Sequence, residues 1–140
     1  MLKLAALDSD DLAVISTQMQ DAVLHAGDMS YSRARRQFAL VANRYAWDAP
    51  AGLKQRRRTG LNFDRVLAAK VHGLDQRDQD HILSLLAITF EPVDAPSGMI
   101  VLSFAGGSSI RLEVECIEAR LCDMGSGWPT AHQPFHSGGE

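Results

Sequence analysis

Near the N-terminus, apolar residues return every three to four positions. Leu12, Ile15, Met19 and Ala22 form one stripe in "LDSDDLAVISTQMQDAV", the spacing of an amphipathic helix. Asp8 or Ser9 stands where it can cap the free N–H groups of the first turn, and Asp10 and Asp11 favour the positive end of the helix dipole. The period then changes. Through "GDMSYSRARRQFALVANRYAW" the residues alternate, with Phe38, Leu40 and Ala42 on one face. "SRARRQ" separates that run from Met29 and Tyr31, so a hairpin is expected. Pro50 and Gly52 mark "DAPAGLKQ" as a loop.

The segment "RRRTGLNFDRVLAAKVHGLD" fits two periods. As a strand it puts Leu61, Phe63, Leu67, Ala69 and Val71 on one face, with Arg65 breaking the row. As a helix from Asp64 it offers Leu67, Val71 and Leu74. Thr59, Gly60 and Asn62 are poor helix formers, which favours a strand for the first half; residues 64–74 stay open between strand and helix. "HILSLLAITFEPV" is apolar on both faces, like a central strand. After the loop "DAPSG" comes the clearest hairpin: "MIVLSF", a turn at "AGGSS", then "IRLEVE". Ile100, Leu102 and Phe104 make one inward row and Ile110, Leu112 and Val114 the other. From Glu115 the spacing of Ile117, Leu121 and Met124 is helical again, with Gly125 as a C′ stop. "SGWPTAHQPFHSGGE" has no period and reads as a tail from which Trp128 or Phe135 could dock on the body.

Helix, strands in succession, then helix predicts an α+β fold. The expected architecture is a mainly antiparallel curved sheet or partly open barrel with an N-terminal helix and a C-terminal helix, at fold level resembling a pleckstrin-homology-like barrel. The length of 140 residues suits one domain, expected over 1–125 with a flexible tail over 126–140. No apolar run approaches the roughly 20 residues that span a bilayer, and the apolar start is too short for a signal peptide. A cytoplasmic protein with no membrane partner is expected. Cys116 and Cys122, the two cysteines, are six apart, neither a redox pair nor half of a zinc site, and at least one is expected to be buried.

Charge changes the picture most. The net charge is −3, yet residues 33–70 hold ten Lys and Arg against Asp48 and Asp64, so that segment is +8 and the remainder −11. "SRARRQ" and "KQRRRT" would form one basic patch if they lay at the same end of adjacent strands. Arg33, Arg35, Arg36, Lys54, Arg56 and Arg58 are therefore the candidate ligand-binding residues, because the guanidinium fork suits phosphate and carboxylate. The bland alternative is a solvated strand end paired with the protein's own acids. Tyr31, Tyr45, Trp47 and Phe63 interleave with the basic segment as in single-strand binders. The sequence pI of about 5.9 argues against nucleic acid, and the aromatics are more economically core.

Other chemistry is thin. His132 and His136 are four apart, but Pro134 argues against the helix a zinc pair needs, so no metal site is expected; His25, His72 and His81 stand alone. Glu113 and Glu115 share the outer face of a strand beside Arg111, more often a solubilising row than a catalytic one. "AGGSS" joins strands, whereas a phosphate loop opens a helix. No nucleophile, nucleotide or cofactor motif is present, and no cofactor is expected.

"RRRTGLNFDRVLAAKV", "LSLLAITFEP" and "IRLEVECIEARLCDMG" together resemble an uncharacterised family of small bacterial proteins, a domain of unknown function, over nearly the whole chain to about Trp128. The resemblance implies a compact bacterial cytoplasmic protein and carries over no activity, cofactor or site residue. The leading expectation is a non-catalytic binding or adaptor module whose basic edge meets an acidic protein or an anionic small molecule. The alternative is a small enzyme acting on a phosphorylated or carboxylated metabolite, with arginines as clamp and Asp64 or Glu115 as base. A homo-oligomer built through sheet edges is a third reading, and oligomeric state stays open.

Overall fold

A computed structural model of the chain describes residues 2–49, 54–75 and 77–129. In order the elements are β1 (Lys3–Ala6), α1 (Ser9–Met19), β2 (Val23–His25), β3 (Met29–Ser32), β4 (Gln37–Tyr45), β5 (Gln55–Phe63), β6 (Val66–His72), β7 (Ile82–Pro92), β8 (Gly98–Phe104), β9 (Ser109–Val114) and β10 (Ala119–Pro129). α1 forms as its stripe and cap require: the Asp8 carboxylate accepts the Asp11 N–H at 2.8 Å, and Leu12, Ile15 and Met19 are buried.

The strands make one ten-stranded sheet in the order β1-β10-β5-β4-β2-β7-β8-β9-β6, with β3 pairing beside β2 along β4. Every pairing is antiparallel. The two ends of that order, β1 and β6, do not pair with each other, so the sheet is open. It bends around α1 so that inward rows from both halves share one core: Leu40, Leu61, Phe63 and Leu121 on one side, Leu85, Ile100, Leu102 and Leu112 on the other. Each fully buried Leu, Ile or Phe in these rows contributes about 1.5–3 kcal/mol.

Two expectations about the fold are overturned. The C-terminal helix does not exist: residues 115–118 turn, and β10 carries Ala119, Leu121 and Asp123 inward with a strand's period of two. An aspartate at a buried position broke the apolar alternation, and Ile117, Leu121 and Met124 then fell by coincidence at helical spacing. The α+β, pleckstrin-homology-like picture of a barrel plugged by that helix falls with it, since α1 is the only α-helix among the described residues. The tail expected from 126 begins inside β10, and residues 130–140, with His132, Phe135 and His136, lie outside the described residues.

The open question over 64–74 resolves as strand β6. Arg65 breaks the row because it adopts a left-handed backbone, φ +62°, between buried Phe63 and Val66; its side chain points out. β7 is central in the sheet but buried on one face only. A register shift between Leu85 and Ala87 moves the inward row from Leu83 and Leu85 to Ile88, leaving Ile82 and Leu86 exposed. That bulge is why the segment read as apolar on both faces.

Candidate functional site

The antiparallel register of β4 and β5 decides where the candidate arginines stand. Phe38 pairs with Phe63 at one end of the ladder and Tyr45 with Arg56 at the other, seven steps or about 23 Å apart. Arg33, Arg35 and Arg36 occupy the β3–β4 turn at the first end, whereas Lys54, Arg56 and Arg58 lie at the second. The six do not form one patch. Arg56 and Arg58 face outward and reach the Asn43 carbonyl and side chain at 3.3 and 3.4 Å, while Arg57 lies on the inward face.

At the first end, Arg35 and Arg36 meet two arginines from elsewhere in the chain. Together with Arg65, from the β5–β6 turn, and Arg120, near the start of β10, they line an open pocket of about 610 Å³, over an apolar floor of Ala5 and Ala119. The acids there are Asp64 and Glu118, so the lining carries a net positive charge. Arg36 reaches Glu115 at 2.9 Å, Arg120 reaches Asp64 at 3.3 Å and Arg65 reaches Glu118 at 3.7 Å. These pairs are half exposed, and each is a weak, easily exchanged contact.

The backbone adds a second sign of specialisation. Arg36 at φ +52° and Arg65 at φ +62° are both left-handed, a region that suits glycine and costs other residues about 1–2 kcal/mol. Such cost persists where something else holds the residue in place. Here the Arg36 carbonyl accepts the Val66 N–H at 2.8 Å and the Arg65 carbonyl accepts the Glu115 N–H at 3.0 Å. Asp64 is equally fixed: Oδ1 accepts from Gln37 and Asn62 at 3.0 and 3.4 Å, and Oδ2 from Arg120. Arg65 and Arg120 were not among the expected ligand residues. Arg65 was visible as a break in the strand row, but the pairing that brings Arg120 beside it was hidden while β10 read as a helix.

At the other end of β4, β5 and β10, a polar cluster is sealed inside the sheet. Arg44 continues the inward row of Phe38, Leu40 and Ala42 and is fully buried. Its Nε and Nη2 donate to the two oxygens of buried Asp123 at 2.8 and 2.7 Å, and Nη1 donates to Asp48 at 2.9 Å. Thr59 Oγ1 and the Leu2 N–H also donate to Asp123, at 2.7 and 2.8 Å. Burial alone would push the Asp123 carboxyl up; the donors from Arg44, Leu2 and Thr59 outweigh it and hold it down at about 2. Burial likewise works against the Arg44 cation, but its bonds to Asp123 and Asp48 prevail and raise it above its ordinary value. Among the described residues no buried side-chain polar atom lacks a partner. This cluster ties the N-terminal strand and β10 to the core.

The remaining expectations are quickly placed. Phe63 and Tyr45 are core, Trp47 donates to the Gln20 carbonyl and Tyr31 to the Val66 carbonyl, so these aromatics serve the fold. Glu115 pairs with Arg36. Cys116 is half-buried and Cys122 exposed, so the expectation of a buried thiol is corrected: β10, as a strand, turns Cys122 outward. No cluster of three metal-ligating side chains occurs, and no helix is long and apolar enough to cross a membrane, among the described residues. Over residues 2–136 the chain matches the family described as "Protein of unknown function (DUF2948)". No curated protein and no solved structure matches it.

Proposed function

Starting from a chain that belongs to the DUF2948 family, whose description assigns no activity, we propose that the protein is a non-catalytic binding module that holds a phosphate or carboxylate group in the pocket of Arg35, Arg36, Arg65 and Arg120. The carrying observation is that four arginines from three separate turns and strands line one concavity. Guanidinium forks bind such oxyanions bidentately. The weak exposed pairs to Glu115, Glu118 and Asp64 keep the arginines splayed until an anion displaces them. A bacterial cytoplasmic setting belongs to the same proposal.

The enzyme reading asks for arginines and a base in one concavity, and Asp64 does line this pocket. Its two oxygens already accept from Gln37, Asn62 and Arg120, the arrangement of a carboxylate that positions Arg120. No Ser, Cys or His lines the pocket. Binding is therefore the better-supported reading.

Titration with inorganic phosphate, followed by calorimetry and by the NMR signals of the arginine Nε–H groups, tests it. Arg35→Gln/Arg65→Gln is expected to weaken binding at least tenfold. Arg56→Gln/Arg58→Gln, more than a Debye length away at about 0.15 M salt, should stay within twofold of the native protein. Equal losses in both double variants, or no response at Arg35 and Arg65, would overturn the proposal.

A further inference from the structure

The outer face of the sheet beside the arginine pocket departs from the usual pattern of an antiparallel sheet. A solvated face is normally polar at alternate positions, and β9 obeys this with Arg111 and Glu113 exposed. On the middle of β10, β5 and β4 a run of outward positions is instead small or apolar, bordered by Lys3, Arg58, Asn62 and Arg120. Cys122 pairs with Gly60, Gly60 with Val41, and Ala39 with Asn62. Ala39, Val41, Gly60, Cys122 and Met124, with Lys3 and Asn62 at its borders, line an open groove of about 630 Å³ whose exposed surface is mostly carbon. Met124, 47% exposed, stands at its far end. The run from Met124 to Arg120 along β10 is about 13 Å.

This groove and the arginine pocket are neighbours, with Ala5 and Arg120 in the lining of both. The groove is mostly apolar, with Lys3 on its β1 edge, and the pocket is lined by four arginines. We infer that the two form a single site for an amphiphilic anion: an alkyl or acyl chain along the groove, with a phosphate or carboxylate head among Arg35, Arg36, Arg65 and Arg120. The inference rests on the pocket binding an anion, and adds the chemical class of the ligand. The charge at one end selects this occupant over an uncharged chain, and the missing side chain of Gly60 gives the chain its room. A Cβ at Gly60 would meet nothing closer than the Met124 sulfur at 3.6 Å, an ordinary contact. A larger residue there fills the groove without disturbing the backbone.

Inorganic phosphate and hexyl, octyl and decyl phosphate, each kept below its micelle-forming concentration, separate the two levels of the proposal. Each added methylene should tighten binding about twofold, half the effect of full burial because one side of the groove stays open. Cys122 on the groove floor supplies an independent readout. Saturating octyl phosphate should slow its alkylation by iodoacetamide at least tenfold, whereas inorganic phosphate should not, with peptide mapping to separate Cys122 from Cys116. Gly60→Leu should keep phosphate binding and lose the dependence on chain length.

If phosphate binds but affinity ignores chain length and Cys122 stays reactive, the groove is not part of the site and the inference fails while the anion pocket stands. If phosphate itself does not bind at Arg35 and Arg65, the underlying function fails. Protection of Cys122 that grows with protein concentration in the absence of any ligand would assign the groove to a second copy of the chain and overturn the inference.

Discussion

Arg36 and Arg44 sit at the two ends of one strand and live in opposite worlds. Arg36, just before β4, is exposed, left-handed and held by one partner, Glu115. Arg44, one residue before the strand's end, is fully buried and spends its donors on Asp123, Asp48, Gln18 and the Tyr45 carbonyl. The strand's alternation sends Arg44 into the core, and the turn puts Arg36 in solvent. A buried arginine whose three nitrogens all have partners serves the fold, whereas a loosely paired, exposed one remains available. The same residue type thus serves the fold at one end of β4 and is a candidate ligand contact at the other.

The largest effect is expected from breaking the buried end. Asp123→Ala leaves the Arg44 cation buried without its main partner, removes the acceptor of the Leu2 N–H and leaves the Thr59 hydroxyl only its longer bond to the Arg57 carbonyl. Removing one member of a buried pair costs about 3–5 kcal/mol, a large share of the roughly 5–15 kcal/mol that stabilises a domain of this size. Replacing both members by apolar residues, Arg44→Met/Asp123→Leu, should recover at least half of that loss, since desolvation is relieved as the attraction is removed. Urea denaturation of the native protein and the two variants measures this. A double variant as unstable as Asp123→Ala would show that the cluster's geometry, not its charge balance, holds β10 in place.

Acid probes the same cluster more gently. Asp123 is held down at about 2, below its ordinary 3.8, by Arg44, Leu2 and Thr59. A carboxyl depressed by folding stabilises the native state above its unfolded value and loses that contribution as the pH falls through the folded one. Between about pH 4 and pH 2 the native protein should lose on the order of 2 kcal/mol from this group alone. The acid titration of Asp123→Asn should lack that component. If both proteins lose stability in parallel over this window, other carboxylates govern acid unfolding.

The contrast between the ends also explains which parts of the structure could be read from the sequence. α1 and the β8–β9 hairpin were legible because apolar residues occupy every inward position, from Leu12 to Met19 and from Ile100 to Val114. β10 was not, because Asp123 stands inward and only makes sense once Arg44 is seen across β5. Arg44 itself looked like one more member of a basic run, since nothing local marks a satisfied buried arginine. At the candidate site, Arg35 and Arg36 belong to the basic run that charge alone marks. The pocket was not recoverable, because antiparallel pairing carried Lys54, Arg56 and Arg58 to the far end and brought in Arg65 and Arg120. Charge density along the chain points to half of the candidate pocket; register supplies the other half.

The smallest expected effect is the most discriminating. Arg65 lies at φ +62°, where glycine carries no steric penalty, and its contact with Glu118 is long and half exposed. Arg65→Gly relaxes the backbone by about 1–2 kcal/mol, offset by about 0.5–1 kcal/mol of added chain entropy when glycine unfolds. The weak ion pair takes back a few tenths more. The net change in stability should lie between zero and about 1 kcal/mol, in the stabilising direction. Phosphate binding should weaken several-fold in the same variant. A gain in stability joined to a loss of binding would mean that the strained arginine is kept for the anion. Unchanged binding would show that the pocket works without Arg65, and a net loss of stability would show that Arg65 holds the β5–β6 turn as Arg44 holds the core.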